Sequence, residues 1–463
     1  MINKSPHKSP MPTQNQKNRV FNFNEVALGY ALEEALSEAK RCLDCRHKPC
    51  ITECPVEIDI PAFIRAIADQ HLDKAYRIIS DSSVLPAVCG RVCPQESQCE
   101  AVCVRGIKGE PVAIGHLERF VADYYFTHHA EIATPITRDK EPIAVVGSGP
   151  AGLSCAHDLV KKGYQVTLFE ALHQLGGVLV YGIPEFRLPK EIVKREIHRL
   201  IDLGVKIEKN VIIGQSLFIK DLFDMGYKAV FLGTGAGLPK FMNIPGEMLN
   251  GVYSANEFLT RINLMKAYQK DAETPIFKGE RVAVIGGGNV ALDAARSAKR
   301  LGANHVMVIY RRSMKELPAR IEEVHHAKDE QIQFHLLTHL KEIIGDENGH
   351  VKRIRLVEMT LGEPDESGRR RPIEKKDSDF FMDVDTVIMA IGTRPNPMIM
   401  QSSLELEKNA YGCLVTDPNT GETTMPMVYA GGDVVTGSAT VILAMGAGRK
   451  AAKAIDEKLN PSF

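Results

Sequence analysis

The sequence predicts an α/β protein with two Rossmann-like dinucleotide-binding domains, preceded by an α-helical, cysteine-rich domain. Two stretches carry the first part of this prediction. Residues 143–170 and 282–312 each read as an apolar strand, a glycine turn, a helix and a second strand. The third observation is that eight of the ten cysteines lie between Cys42 and Cys103. At 463 residues the chain is long enough for two or three domains.

Composition and the first residues exclude several classes of protein. The net charge of -1 argues against a nucleic-acid binder, which would carry a basic excess. The sequence has no run of about 20 apolar residues that could span a membrane. The N-terminus lacks the apolar core of a secretory signal. We therefore predict that residues 1–20 are a disordered polar tail and that the protein is cytoplasmic.

Residues 21–138 are predicted to form the helical domain. The stretch IPAFIRAIADQHLDKAYRIIS, residues 60–80, has apolar side chains at helical spacing and Pro61 near its start, which predicts one amphipathic helix. The cysteines of this domain fall into two groups of four. They are Cys42, Cys45, Cys50 and Cys54, and then Cys89, Cys93, Cys99 and Cys103.

Three kinds of chemistry could use eight clustered cysteines. Disulfide frameworks belong mainly to small secreted domains, which this chain does not resemble. Two four-cysteine zinc sites are the second alternative, but structural zinc usually takes two separated C-x2–4-C pairs. Dense runs of cysteine that include Cys-Pro, as at Cys54-Pro55 and Cys93-Pro94, are typical of iron–sulfur proteins. The sequence therefore favours iron–sulfur clusters over zinc.

The first nucleotide-binding unit has three glycines at G-x-G-x-x-G spacing. Such a turn lets the backbone approach a pyrophosphate at the start of a helix. The second strand of the unit ends at Glu170, whose carboxylate can bind adenosine ribose hydroxyls. The alternative is a glycine turn that only permits tight packing. The candidate binding residues are Gly147, Gly149, Pro150, Ala151, Gly152 and Glu170.

The second unit differs at the position that distinguishes the nicotinamide cofactors. Its turn has alanine in the third glycine place, and its second strand ends in two arginines rather than an acid. Arginine there can pair with a 2′-phosphate, so this site is predicted to prefer NADP(H). The alternative is a solvated arginine pair. The candidate residues are Gly286, Gly288, Asn289, Val290, Arg311 and Arg312.

Two dinucleotide sites on one chain suggest FAD in one and a nicotinamide in the other. The segment VYAGGDVVTG, residues 428–437, could bring a carboxylate to a ribityl or phosphate-adjacent hydroxyl. The glycines of GGVLVYGIPEFRLP, residues 176–189, permit close approach to a flavin, although a packing loop is the alternative. With the strand AVFLGTGA, residues 229–236, these segments add the FAD candidates Gly177, Gly182, Gly235, Gly432 and Asp433.

The combined pattern resembles the two-dinucleotide flavoprotein oxidoreductases. With its cysteine-rich front end, the chain is similar to the small subunit of glutamate synthase and to the large subunit of the NADH-dependent reduced ferredoxin:NADP oxidoreductase. The front half of dihydropyrimidine dehydrogenase is a related arrangement. The resemblance implies a split FAD-binding domain, residues 139–260 and 392–463, with the NADPH-binding domain, residues 261–391, inserted into it.

The same resemblance implies an interlaced set of cluster ligands. One of two [4Fe–4S] clusters would be bound by Cys42, Cys45, Cys50 and Cys103, and the other by Cys54, Cys93 and Cys99. The fourth ligand of the second cluster would be Glu118, at a place where similar proteins use an oxygen-bearing side chain. Cys89 is the alternative fourth ligand. A carboxylate on one iron would change the charge and the potential of the cluster.

These expectations describe an NADPH-dependent flavin and iron–sulfur oxidoreductase. FAD would convert two-electron nicotinamide chemistry into one-electron steps through the clusters. The resemblance favours the ferredoxin:NADP oxidoreductase type, with the small subunit of NADPH-dependent glutamate synthase as the alternative. A partner redox or glutamate-forming subunit is expected, possibly with ferredoxin, and neither nucleic acid nor membrane. A redox-sensing scaffold without catalysis is a further alternative, and no catalytic protein side chain is identified.

Overall fold

Helices and parallel strands alternate over most of the chain in the computed structural model, which describes residues 3–129, 136–366 and 368–461. In chain order the helices are α1 (Gln16–Arg19), α2 (Leu32–Ala39), α3 (Pro49–Thr52), α4 (Ile60–Ala68), α5 (Leu72–Ser82), α6 (Pro86–Val92), α7 (Ile114–His128), α8 (Pro150–Lys161), α9 (Val178–Tyr181), α10 (Lys190–Asp202), α11 (Ile219–Asp224), α12 (Ala255–Asn263), α13 (Asn289–Arg300), α14 (Ile321–Asp329), α15 (Met398–Ser402), α16 (Asp433–Thr436) and α17 (Val441–Leu459). Short 3-10 helices span Gln95–Ser97, Val104–Ile107 and Met314–Glu316.

Within the described residues, the strands belong to two parallel sheets, one antiparallel sheet and one short antiparallel pair. In chain order they are β1 (Pro142–Val146), β2 (Gln165–Glu170), β3 (Lys206–Lys209), β4 (Ala229–Leu232), β5 (Leu238–Pro239), β6 (Val252–Ser254), β7 (Arg281–Ile285), β8 (His305–Tyr310), β9 (Gln333–Leu336), β10 (Thr338–Gly345), β11 (Val351–Pro364), β12 (Arg370–Asp383), β13 (Thr386–Met389), β14 (Thr393–Arg394) and β15 (Val428–Ala430). Among the described helices, none is both long enough and apolar enough to cross a bilayer.

The N-terminal region is helical, as predicted, but its second amphipathic stretch forms two helices. Asp59 caps α4 through a hydrogen bond from the Ala62 backbone N–H at 3.3 Å. The helix ends before Gln70, which has a positive φ of 60°. A residue in that conformation cannot continue a right-handed helix, so α5 starts again at Leu72. The turn lets both helices bury their apolar sides in the same core.

The first residues do not form the predicted disordered tail where the structure describes them. The Asn3 backbone N–H donates to the Lys40 carbonyl at 2.9 Å, and Leu28 donates to the Pro12 carbonyl at 2.7 Å. Arg19 is 1% exposed, and its Nε lies 2.9 Å from Glu330 Oε1. Backbone pairing and one buried ion pair therefore order this segment despite its polar composition. Residues 1–2, with which the predicted tail begins, lie outside the described residues.

The first α/β unit contains a five-stranded parallel sheet of order β15-β4-β1-β2-β3. Ile143 of β1 pairs with Val166 on one side and with Ala229 on the other, and all three side chains are buried. Parallel strands covered on both faces read as continuous apolar runs, which is why VV and FL runs are found here. The sheet takes its last strand from near the C-terminus, so the unit is split in sequence.

The second α/β unit repeats this plan with a parallel sheet of order β6-β13-β7-β8-β9. Its edge strand β6 pairs with β13, so the sheet begins at Val252 rather than at the predicted boundary of 261. The antiparallel sheet β10-β11-β12 is attached to this unit and was not predicted. The short pair β5–β14 joins the two units where the chain leaves and returns. The predicted fold class, two Rossmann-like units after a helical domain, is confirmed.

The buried apolar side chains form one large core and several smaller ones. The helical domain and the α8 and α17 side of the first unit share one continuous apolar core, which includes Cys54, Tyr429 and Met445. The second unit has apolar clusters of its own. Polar contacts link it to the rest: Arg187 Nη1 lies 2.7 Å from Asp293 Oδ2, and Arg320 Nη1 donates to the Arg91 carbonyl at 2.8 Å.

Candidate redox cofactor sites

The first glycine turn is shaped by positions where a side chain cannot fit. Gly147 has a φ of +98°, and a Cβ there would lie 2.5 Å from the Gly233 carbonyl oxygen. A Cβ on Gly152 would overlap the Gly147 carbonyl oxygen. By contrast, a Cβ on Gly149 would have no neighbour within 4 Å, so the turn is open on that side. Pro150 and Ala151 begin α8 here, and the first N–H groups of a helix favour an anion.

Glu170 lies at the carboxyl end of β2, beside this turn. One carboxylate oxygen accepts the Ser148 N–H at 2.9 Å and the Ser148 hydroxyl, and the other accepts the Leu172 N–H at 2.8 Å. The side chain is only 7% exposed. Ser148 was not singled out from the sequence, because the middle positions of the glycine motif are variable in chemistry. It holds the acid at the edge where an adenosine ribose would lie.

Three separate segments converge beyond the turn. Gly177 has a φ of +53°, and a Cβ there would lie 3.0 Å from the Gly149 Cα. Burial, followed by the charges of Asp433 and Glu170, raises the pKa of Tyr181 to about 12. Tyr181, another residue missed from sequence, therefore lies in the field of both carboxylates. The flanking Gly182 ends the short helix α9 that carries Tyr181.

The segment with Gly432 and Asp433 is fixed against the same helix start. Gly432 has a φ of +75°, and a Cβ on it would lie 3.1 Å from the Ala151 Cβ. Asp433 begins α16 and accepts the Ala439 N–H at 3.1 Å. Gly235, with a φ of +69°, would have open space around a Cβ. The structure thus brings the FAD candidates from residues 147–152, 170, 177–182 and 432–433 to one edge of the first sheet.

The second glycine turn has the same form. Gly286 has a φ of +142°, and a Cβ on it would overlap the Ala390 carbonyl oxygen, whereas a Cβ on Gly288 would meet nothing within 4 Å. Helix α13 begins at Asn289, whose Oδ1 accepts the Arg320 N–H at 2.9 Å. Val290 is 46% exposed at this helix start. An apolar side chain left open at a helix N-terminus fits a surface that a nucleotide covers.

The structure separates the two arginines that were predicted to act together. Arg311 is exposed, whereas Arg312 is 5% exposed. Arg312 Nη2 lies 2.7 Å from Asp365 Oδ2, and its Nε donates to the Arg370 carbonyl at 2.8 Å. Arg312 is therefore bound to the loop between β11 and β12. Of the pair, Arg311 is the one with its guanidinium open to a phosphate.

The cysteines form two groups that do not follow sequence order. The charges of Cys42 and Cys103, after burial, raise the pKa of Cys50 to about 12, and Cys45 also contributes. These four thiols therefore lie near one another. Cys42, Cys45, Cys50 and Cys103 are all partly exposed. We call them the outer cysteine group.

The second group lines a buried cavity. Its cysteines are Cys54, Cys93 and Cys99, and Glu118 lies on the same wall. The cavity is completed by apolar side chains, among them Phe63, Ile114 and Ile442. Glu118 Oε1 is buried without a hydrogen-bond partner. We call Cys54, Cys93, Cys99 and Glu118 the inner group.

The chemistry of the inner group fits a metal cluster. Burial, followed by Glu196, raises the pKa of Glu118 to about 8, and burial raises the pKa of Cys54 to about 11. Buried groups of this kind would release their protons on binding iron and gain the partner that Glu118 Oε1 lacks. Within the described ranges no three potential ligands are close enough for a single ion. A four-iron cluster places each ligand on a different iron and needs a wider arrangement.

Cys89 takes no part in the lining of the cavity. Its Sγ lies 3.5 Å from Met445 Sδ on α17, and its side chain is fully buried. It also neighbours Cys93, whose hydrogen bond raises the pKa of the Cys89 thiol. The structure therefore places Glu118, and not Cys89, on the cavity. All ten cysteines lie within the described residues as free thiols, so the disulfide alternative has no support.

Helix α17 connects the inner group with the first glycine turn. Ile442, in its first turn, lines the cavity. A Cβ on Gly446 would lie 2.6 Å from the Pro55 carbonyl oxygen, directly after Cys54. A Cβ on Gly448 would overlap the Ala151 carbonyl oxygen in α8. Two glycines, two residues apart, thus let one helix touch the cysteine segment and the nucleotide turn. Cys50 of the outer group lies near enough to Cys99 of the inner group for its charge to help raise the pKa of the Cys99 thiol, after burial.

Two protein families match the chain in the order of these sites. The family described as dihydropyrimidine dehydrogenase domain II, 4Fe-4S cluster, matches residues 19–130. The family described as pyridine nucleotide-disulphide oxidoreductase matches residues 141–451. The chain belongs to the pyridine nucleotide-disulphide oxidoreductases. The predicted enzyme class, a flavin and iron–sulfur oxidoreductase dependent on NADPH, is confirmed by these matches and by the relatives below.

Individual relatives cover most of the length of this oxidoreductase. The beta subunit of NADP(+)-dependent formate dehydrogenase from Moorella thermoacetica is 40% identical over 89% of the chain. The chain spans 60% of that relative's length. The glutamate synthase [NADPH] small chain of Escherichia coli K12 is 33% identical over 97% of the chain and 96% of its own length. The predicted resemblance to the glutamate synthase small subunit is thereby confirmed.

Among solved structures, FprA of Mycobacterium tuberculosis in complex with NADPH matches with a TM-score of 0.58 and 22% identity. The match covers 69% of this chain and 84% of FprA. At that identity the likeness shows the fold of the two α/β units, and the site residues of this oxidoreductase are assigned from its own geometry.

Proposed function

We propose that this oxidoreductase is the NADP(H)-linked electron-transfer subunit of a larger enzyme, with FAD in the first α/β unit, NADPH in the second and two [4Fe–4S] clusters in the helical domain. The observation that carries the proposal is helix α17, which touches both the inner group and the glycine turn of the first unit. A nucleotide site and a cluster site joined by one helix suit direct electron exchange. A redox-sensing scaffold would not need that adjacency.

The residues of the first unit would bind FAD from several sides. The backbone around Gly147, Gly149 and Gly152 would bind the pyrophosphate at the start of α8. Glu170 would accept hydrogen bonds from the adenosine ribose, and Asp433 from a ribityl or phosphate-adjacent hydroxyl. Bound FAD supplies the exchange between two-electron nicotinamide chemistry and one-electron cluster chemistry. The residues 176–189 would cover the flavin, with Tyr181 near both carboxylates.

The second unit would bind NADPH at the Gly286 turn. Asn289 and Val290 lie at the start of α13, where N–H groups favour the pyrophosphate. Arg311 would pair with the 2′-phosphate as a forked donor. Arg312, bound to Asp365, would position the strand end and contribute positive potential. The preference for NADPH over NADH thus rests mainly on Arg311.

The helical domain would hold the clusters in series. The outer group would supply four thiolates, and the inner group three thiolates and the Glu118 carboxylate. The inner group is buried next to α17, and the outer group is partly exposed. The inner cluster would therefore exchange electrons with FAD and the outer one with a partner. We place this chemistry in the cytoplasm, where free thiols persist.

The proposal also concerns which kind of partner subunit the chain binds. The sequence resemblance favours a subunit like the large subunit of ferredoxin:NADP oxidoreductase. The second candidate is a glutamate synthase small subunit, and the match over 96% of the Escherichia coli small chain favours it. Either role gives the same prediction for the isolated chain, because both need a second subunit for the complete reaction.

The proposal is tested on protein purified without oxygen. We expect about one FAD and about eight iron atoms per chain, and bleaching of the flavin by NADPH. The chain should reduce an artificial dye with NADPH and form no glutamate from glutamine and 2-oxoglutarate. Stoichiometric zinc with little iron would contradict the clusters. Glutamate formation by the chain alone would contradict the role as a subunit.

A further inference from the structure

Apolar side chains are exposed beside the outer cysteine group. Leu43, which follows Cys42, is 39% exposed. Val104 and Ile107, which follow Cys103 in a short 3-10 helix, are 38% and 78% exposed. Arg41, directly before Cys42, donates from Nε to the Ser5 carbonyl at 3.2 Å, and Arg105 Nη2 donates to the same carbonyl at 2.5 Å, so the two segments lie side by side on one surface. We call Leu43, Val104 and Ile107, with their charged neighbours, the outer patch. These neighbours are Asp44, Arg46, Lys48, Arg105 and Lys108.

The charged residues of the outer patch are mostly basic. Arg46 and Lys108 are exposed, and Lys48 and Arg105 are partly exposed. Two carboxylates lie in or beside these segments: Asp44 is already bound to Arg65 of α4, and Glu110 accepts the Lys8 N–H at 3.0 Å. Against the net charge of -1 for the whole chain, this patch carries a local surplus of positive charge.

The geometry of Arg105 maintains that surplus. Its Nη2 donates to the Asn3 carbonyl at 3.3 Å and to the Ser5 carbonyl at 2.5 Å. Backbone carbonyls hold the guanidinium in place but leave its full charge uncompensated. Lys48 is bound to Asp59 at 3.1 Å, so its charge is partly balanced. The ordered N-terminal segment thus fixes one cation at the rim of the apolar residues.

We propose that the outer patch is the docking surface for an acidic redox protein or subunit, which exchanges electrons with the outer cysteine group. An apolar centre with a basic rim matches a partner that carries carboxylates around its own redox centre. The inference rests on the proposed function, since it requires a cluster at the outer group. Each encounter moves one electron. Two encounters deliver two electrons, which together with one proton convert NADP+ to NADPH. In the reverse reaction NADPH releases two electrons and one proton.

The test uses a chemically reduced acidic ferredoxin as electron donor and follows NADPH formation from NADP+ by the intact, cluster-loaded protein. The variants are Ile107→Glu and Lys108→Glu. Matched controls on distant exposed surfaces are Leu404→Glu and Lys376→Glu, since Leu404 is 91% exposed and Lys376 is exposed on β12. Reduction of a small dye by NADPH is measured on every variant, because it does not need the patch.

We expect the two patch variants to raise the KM for ferredoxin about tenfold, a change of about 1.4 kcal/mol. Lys108→Glu should also weaken the dependence of the rate on ionic strength, since surface charges steer association. The controls and the dye reaction should stay unchanged. Equal loss in the controls, or an unchanged KM in both patch variants, would overturn the proposal.

The failure of the proposed function has a different signature. If NADPH reduces neither flavin nor clusters, the function itself is wrong. If NADPH reduces both but the wild-type protein accepts no electrons from the acidic ferredoxin, the function stands and the assignment of an acidic partner to this patch is overturned. Saturable transfer that is equally fast in both patch variants would place the docking surface elsewhere.

Discussion

Substitution of Gly446 by alanine tests the contact between α17 and the inner group. A Cβ at this position would lie 2.6 Å from the Pro55 carbonyl oxygen and 3.2 Å from the Pro55 Cβ. An ordinary contact begins near 3.4 Å, so the helix and the Cys54-Pro55 segment would have to separate by about 0.8 Å. The carbonyl belongs to the backbone and cannot rotate away as a side chain would.

The expected loss of stability is modest, and the effect on electron transfer is specific. Overpacking of this kind costs about 1–3 kcal/mol. Alanine offsets about 1 kcal/mol of that through its higher helix propensity. The net loss of about 1 kcal/mol corresponds to a fall in Tm of roughly 2–4 °C for a unit of this size. Because Pro55 follows Cys54, the displacement also alters the surroundings of the inner group.

The assay combines thermal unfolding with stopped-flow absorbance under anaerobic conditions. Flavin reduction by NADPH should proceed at the wild-type rate in Gly446→Ala, and the following reduction of the clusters should be slower. The matched control is Gly237→Ala, where a Cβ would meet nothing within 4 Å. Unchanged cluster reduction in Gly446→Ala, or an equal change in the control, would refute the role of α17 as the connection.

Three further predictions follow from individual side chains. Arg311→Ala should lower kcat/KM for NADPH, by a factor that corresponds to about 1–3 kcal/mol of lost transition-state stabilisation, and should change kcat/KM for NADH little. Arg312→Ala should mainly raise the rate of amide hydrogen exchange in the β11–β12 loop. Glu118→Ala should change the electron paramagnetic resonance signal of one cluster, and Cys89→Ala should leave both signals intact. Although burial opposes it, the charges of Arg187 and Arg296 lower the pKa of Glu323 to about 2. The stabilisation from the Glu323 carboxylate is therefore present above about pH 4.5 and lost as the pH falls towards 2. The free energy of unfolding of Glu323→Gln should therefore fall by about 3 kcal/mol less than that of the wild type over this range, as measured by acid unfolding.

The parts of the molecule that could be predicted from sequence depend on local backbone chemistry. Gly147 and Gly286 have positive φ values and no room for a Cβ, so the turn itself requires glycine. Such requirements produce a short glycine motif that can be recognised in the sequence. The same holds for the apolar strands, because a parallel strand buried on both faces must be apolar along its length. Fold class and the positions of the nucleotide turns were therefore accessible.

Contacts between distant segments could not be predicted in this way. Arg312 and Asp365 are 53 residues apart, and no local pattern marks an arginine for an ion pair rather than for a phosphate. Arg19 lies in a polar segment that reads as disordered, yet it is buried against Glu330. The break at Gln70 was hidden because the apolar spacing continues through it. In each case the outcome depends on what the fold brings close.

The two kinds of contact between domains have different consequences for the electron path. The helical domain and the first unit share one apolar core and meet through glycines of α17, so their relative position is fixed by close packing. The second unit is joined through ion pairs such as Arg187–Asp293 and the buried pair of Arg19 with Glu330, at 2.9 Å. Ion pairs respond to pH and to bound charge, whereas packed apolar contacts do not. Substitutions in α17 should therefore alter transfer between the flavin and the inner cluster, and those in the ion pairs should alter how NADPH reaches the flavin.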